Sequence, residues 1–163
     1  MSEWRSLTGP EIVDLATRLE SLAWSWQMDD VSDLAAHFGW TVLRAKADWV
    51  MLDVGFGMAS GSILGRDGRA DTIELAVTDN TDGEARSGVL LRDTFAEMTA
   101  ALRGALGEPT TLIPGEQPEV RWVGDDATLR LTCLSSAVHL SLVTNARIAL
   151  DDESAALNEQ DWA

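Results

Sequence analysis

The chain opens on a helical rhythm of hydrophobic positions and later changes to the rhythm of strands. Thr8 and Glu11 stand at the spacing of a capping box, in which a hydroxyl and a carboxylate each satisfy a free amide of the first turn. Pro10 fits that turn, because its missing N–H has no helical partner to lose. Ile12, Leu15, Ala16, Leu19, Leu22, Ala23 and Trp26 then recur at the i, i+3, i+4, i+7 spacing of one buried face. Asp14, Arg18 and Glu20 fall on the wet side. The pattern predicts an amphipathic helix carrying Trp24 and Trp26, with Trp26 on the stripe. A short second helix follows, capped by Asp30 or Ser32, striped by Leu34, Ala35 and Phe38, and stopped by Gly39. The carboxylates of Asp29, Asp30 and Asp33 at its start suit the helix dipole, which accounts for them without a metal.

Between residues 40 and 78 the period falls to two. Segments 40–45 and 49–54 flank a short turn, and segments 60–64 and 72–77 flank Arg66-Asp67-Gly68-Arg69, where Asp-Gly is a strong hairpin signal. A four-stranded antiparallel meander is expected. Residues 80–88 read as a polar loop. A second long helix is expected from Val89, with Leu91, Phe95, Met98, Leu102 and Leu106 on one face, ended by Gly107 and kept from restarting by Pro109. Residues 114–118 make an irregular connection, and segments 120–123, 128–133 and 138–143 read as three further strands. The acidic residues from Asp151 onward lack an apolar stripe and read as a solvated tail or loose helix. The whole predicts one α+β domain over 1–150 and an acidic tail over 151–163. An antiparallel sheet of about seven strands, a meander plus C-terminal strands, carries two long helices and one short helix on one face.

Composition narrows the function classes. At 163 residues the chain can bury about two-thirds of its unfolded surface without a metal or disulfide. No apolar run approaches the roughly 20 residues that span a bilayer, and Glu3, Arg5, Glu11 and Asp14 interrupt any leader-like stretch. A cytoplasmic protein with no membrane partner is expected. The lone Cys133 shares a strand face with Leu129 and Leu131 and reads as a core thiol, which suits a reducing compartment. Charge is the strongest signal: 27 acidic residues face 12 basic ones, for a formal net charge of −15. Such a field opposes binding to nucleic acid, whose phosphates call for Lys and Arg, and favours a basic protein partner.

Candidate chemistry is sparse. The run from Gly55 to Gly61 is glycine-rich, but its third glycine stands one place late for a dinucleotide fingerprint and a strand follows it, so it reads as a wide turn. His37 and His139 stand at no metal-ligand spacing, and no catalytic, cofactor or metal residues are expected. Asp53 shares a strand side with Trp49 and Met51, where a carboxylate must be paired, shifted in pKa or on a wetter face. Seven tryptophans exceed expectation for the length. Trp49, Asp53, Phe56, Met58, Arg121 and Trp122 are the candidate partner-binding residues, since Trp and Arg dominate binding hot spots and Phe56 and Met58 sit on a connection with little polar cover.

The order helix, strands, helix, strands in an acidic chain of this size resembles the type III secretion chaperone-like class of small α+β proteins. Trp49-Val50-Met51-Leu52-Asp53 with Gly55-Phe56-Gly57, and Leu106-Gly107-Glu108-Pro109 with Pro118-Glu119-Val120-Arg121-Trp122, are similar to small actinobacterial proteins, some regarded as immunity proteins of polymorphic toxin systems. The resemblance implies a binding role and no catalytic residues. The leading expectation is a non-enzymatic immunity or inhibitor protein whose acidic surface covers a basic toxin, such as a nuclease. One alternative is a secretion-type chaperone or adaptor that dimerises through an exposed apolar face. Another is a small-molecule binder with its site near Asp53.

Overall fold

The computed structural model describes residues 4–81 and 85–161, with side chains over 4–81 and 87–157. Trp162 and residues 82–84 of the expected polar loop lie outside the described residues. Thr8 caps α1 (Gly9–Glu20) through both halves of the capping box, and Ile12, Ala16 and Leu19 are its buried stripe. A 3-10 turn (Met28–Asp30) leads into α2 (Val31–Phe38), which Gly39 ends in the left-handed region at φ 77°. The expected meander follows as β1 (Thr41–Ala45), β2 (Trp49–Asp53), β3 (Gly61–Arg66) and β4 (Arg69–Ala76). Asp67 and Gly68 join β3 to β4 at φ 55° and 78°, the positive pair that a two-residue hairpin with native twist demands. Then come α3 (Ala85–Leu106), β5 (Thr111–Ile113), β6 (Glu119–Val123), β7 (Ala127–Cys133), β8 (Val138–Thr144) and α4 (Asn145–Asp161).

These strands form one antiparallel sheet in the order β1-β2-β3-β4-β8-β7-β6-β5, so two meanders meet at β4 and β8. The expected α+β class holds, with eight strands instead of about seven; the addition is β5, which pairs Thr111–Ile113 with β6. Register sorts the two faces. One row across the sheet runs Ile63, Ile73, Leu142, Leu129, Trp122, and the next runs Leu52, Gly61, Leu75, Leu140, Leu131, Val120. Both rows are buried, and α1 and α3 cover them over β7 and β8. Cys133 is buried on the same face, and burial pushes its thiol pKa up.

Three expectations need correction. Helix α1 stops at Glu20, leaving Trp24 and Trp26 outside it. Helix α3 begins at Ala85, four residues ahead of Val89, because Gly88 is accommodated within it. The helices do not all share a face: α4 lies across the opposite side of β7 and β8. That outer face carries the polar row Ser62, Glu74, Ser141, Arg130, Arg121. His139 beside it, ahead of Arg130 and Ser141, holds Glu74 below the usual carboxylate range.

Helix α4 is docked by charge more than by apolar burial. Ile148 is its buried hydrophobic side chain among the described residues. Both terminal guanidinium nitrogens of Arg121 donate to Asp152, at 2.9 and 3.0 Å, while Arg147 bridges to Asp71 and Asp151. Arg121 holds the Asp152 carboxyl below its ordinary range. A depressed carboxyl pKa contributes stability above its unfolded value, about 3.9, and loses it as pH falls through the folded value. Because Asp152 is half exposed, the contribution is small, below about 1 kcal/mol. Asp152→Asn is therefore expected to raise amide exchange in α4 a few-fold and leave β8 unchanged. Equal acceleration in both elements would show that the pair holds the sheet and not the helix.

Candidate functional site

The residues singled out from the sequence do not converge. Trp49 and Asp53 lie half-buried on the outer face of β2, and Arg121 lies on the outer face of β6. Five strand spacings separate β2 from β6, roughly 24 Å at about 4.8 Å each. Asp53 Oδ1 accepts hydrogen bonds from the amides of Gly55 at 2.9 Å and Gly57 at 3.3 Å, so this carboxylate is engaged in shaping its own turn. Phe56 lies beneath the Arg5 guanidinium, 5.2 Å from the ring centroid, while Met58 is 80% exposed. Trp122 faces the core, 6% exposed, and donates its indole N–H to the Gly107 carbonyl at 3.0 Å. Arg121 is paired with Glu119 and Asp152.

A broad cleft lies on the helix side, near the ends of α1 and α3. It begins where α1 fails to continue. Ser25 Oγ accepts from the Gln27 amide, offering the backbone a local alternative to helix. The Trp26 carbonyl accepts from Ala70 N at 2.8 Å, and the Met28 amide donates to the Gly68 carbonyl at 2.9 Å, so the segment is tied to the β3–β4 hairpin. Trp26 adopts φ 58° to meet both demands, a conformation that costs a bulky residue about 1–3 kcal/mol. Trp24 packs against it with ring centroids 5.0 Å apart, tilted by 41°. The Trp24 indole N–H is buried without an acceptor among the described residues, which costs a further 1–3 kcal/mol or so.

Opposite these indoles stand Leu106 at the end of α3, then Glu108 and Thr110, and the β6–β7 turn with Asp125 and Asp126. The turn is fixed from behind, since Asn145 donates to the carbonyls of Gly124 and Asp125. The volume of this open cleft is about 710 Å³, within the usual range of ligand pockets, about 300–1,000 Å³. Its lining holds the carboxylates of Glu20, Glu108, Asp125 and Asp126 and no basic side chain. Glu108 pairs with Arg103 at 3.2 Å across an exposed rim. The lining has no histidine, cysteine or serine, and its one hydroxyl, on Thr110, accepts from the Val123 amide. The lining thus offers aromatic surface that can cover a ligand and negative charge that can attract one.

A second groove, of about 560 Å³, opens on the other side of α1, where Phe38, Trp40 and Phe56 line it with Arg18, Glu11 and Asp14. Phe38 and Trp40 stack at 4.4 Å, and Arg18 lies 4.4 Å over Phe38 while donating to the His37 carbonyl. Of the sequence-derived candidates, Phe56 borders this groove and Trp122 lines the acidic cleft; the others border neither. Trp24 and Trp26 were legible only as helix residues, and the carboxylates opposite them only as turn residues.

A family model described as a family of unknown function, DUF6301, matches residues 10–144. No curated protein and no solved structure matches the chain.

Proposed function

The chain belongs to this family of unknown function, and we propose that the protein is a non-enzymatic binding protein, an inhibitor of the immunity type that covers a basic toxin. The observation that carries the reading is the acidic, tryptophan-lined cleft on a chain of formal net charge −15. A negative field of that size speeds encounter with a basic partner and penalises acidic ones. Aromatic surface in the cleft then supplies dwell time once water is displaced. A toxin that acts on nucleic acid, with a basic active-site cleft, has the complementary surface. Among the described residues, no helix is long and apolar enough to cross a membrane.

Affinity capture of the tagged protein from its own organism, washed at low and high salt, tests this. One stoichiometric basic protein, bound about tenfold or more weakly at high salt, is the expected result. An acidic or neutral partner would end the proposal. The chaperone or adaptor reading is favoured by a separate observation, the edge strand β1, exposed along its whole length with Val42 and Leu43 at 38% and 44%. A partner retained at high salt and bound as an extended segment would select it.

A further inference from the structure

We infer that the acidic cleft is a receptor for a guanidinium group, an arginine side chain presented on a peptide segment of the partner. The inference rests on the protein-binding reading above and names what occupies the cleft. Four exposed carboxylates line it, of which Glu108 is paired with Arg103, so an anion is repelled and a neutral apolar ligand makes no use of the charge of the other three. A cation is the remaining class.

Two features select arginine over lysine. The carboxylates come from separate places, Glu20 at the end of α1, Glu108 after α3, and Asp125 with Asp126 on the β6–β7 turn. A guanidinium offers five donors in a planar fork and can serve several of them, whereas an ammonium is a compact point charge. The aromatic surface is indole, from Trp24 and Trp26, on which a weakly hydrated planar cation stacks well. A volume of about 710 Å³ is more than one side chain fills. The excess suits flanking backbone of the partner's segment.

The test uses the full chain and three small probes: N-acetyl-arginine amide, N-acetyl-lysine amide and the neutral isostere N-acetyl-citrulline amide. Indole N–H resonances of Trp24 and Trp26 are followed by NMR. Arginine amide is expected to shift both with millimolar affinity, about fivefold or more tighter than lysine amide, and citrulline amide to shift neither. The triple variant Glu20→Gln, Asp125→Asn, Asp126→Asn is expected to weaken arginine binding about tenfold. A control that removes equal charge elsewhere, Asp29→Asn, Asp93→Asn, Glu97→Gln, is expected to leave it within about twofold. All three control positions are exposed. Equal binding of arginine and lysine, or equal loss in both variants, would reduce the effect to general charge and overturn the inference. Unmoved Trp24 and Trp26 signals alongside capture of a salt-sensitive basic partner would also overturn it, with the inhibitor reading intact. Failure of both experiments removes both.

Discussion

Leu140→Ala is expected to lower unfolding free energy by about 3–5 kcal/mol. Leu140 is fully buried on β8, in register between Leu75 of β4 and Leu131 of β7. It therefore stands where the two meanders join, roofed by α1 and α3. Truncation loses the transfer free energy of the removed carbons and leaves a cavity that two fully hydrogen-bonded neighbours cannot collapse into. Domains of this size are stable by only about 5–15 kcal/mol, so the variant should sit near its unfolding threshold. Chemical denaturation at constant m-value measures the change. A loss under about 1 kcal/mol would contradict the central position assigned to this side chain.

Gly65→Ala is the second large effect, and it arises from backbone, not from a void. A Cβ at Gly65 would stand 2.3 Å from the Arg69 carbonyl oxygen, 2.9 Å from its carbon and 3.0 Å from Ala70 Cα. The pairing of β3 with β4 shifts register between Leu64 and Gly65, which brings the two main chains into this close approach. No side-chain rotation relieves such contacts, so the hairpin must move, at a cost of about 2–3 kcal/mol. Gly88→Ala makes the opposite case. It lies within α3 with nothing within 4 Å of an added Cβ, and is expected to stabilise by roughly 0.5–1 kcal/mol. Thermal melts of the two variants should move apart in sign. Two shifts in the same direction would refute the packing assigned to one of these glycines.

The parts of the fold visible in the sequence are those whose cause is local. Thr8 with Glu11, Asp67 with Gly68, and Gly39 and Gly107 as helix stops each act through neighbours within a few residues, and each does in the structure what its spacing implies. Trp26 shows the limit. Its position on the α1 stripe is correct as arithmetic, but a hydrogen bond from Ala70, in a hairpin more than forty residues on, takes its backbone out of the helix. Strand β5 was missed because three residues are too few to show a period, and only pairing with β6 makes them a strand. Helix α4 lacks an apolar stripe because guanidinium–carboxylate pairs replace one. The cleft was illegible for the same reason throughout: its walls come from four stretches of chain, and none carries a motif. Asp53 was legible as a carboxylate needing a partner, and the partners are amides two and four residues on.

The strand order has a kinetic consequence. Each pairing within a meander joins strands adjacent in the chain, so both four-stranded units can zip from short turns. The contact between β4 and β8 differs: Glu74 and Ser141, opposite one another there, are 67 residues apart. Closing a loop of that length carries an entropic barrier that hairpins avoid, and it is repaid only once non-local contacts form. Until that seam shuts, each half-sheet has a bare edge, β4 on one and β8 on the other, which is the form of exposed strand most open to wrong pairing between molecules. The acidic surface then has a use that precedes any partner: like-charged chains repel while those edges are open.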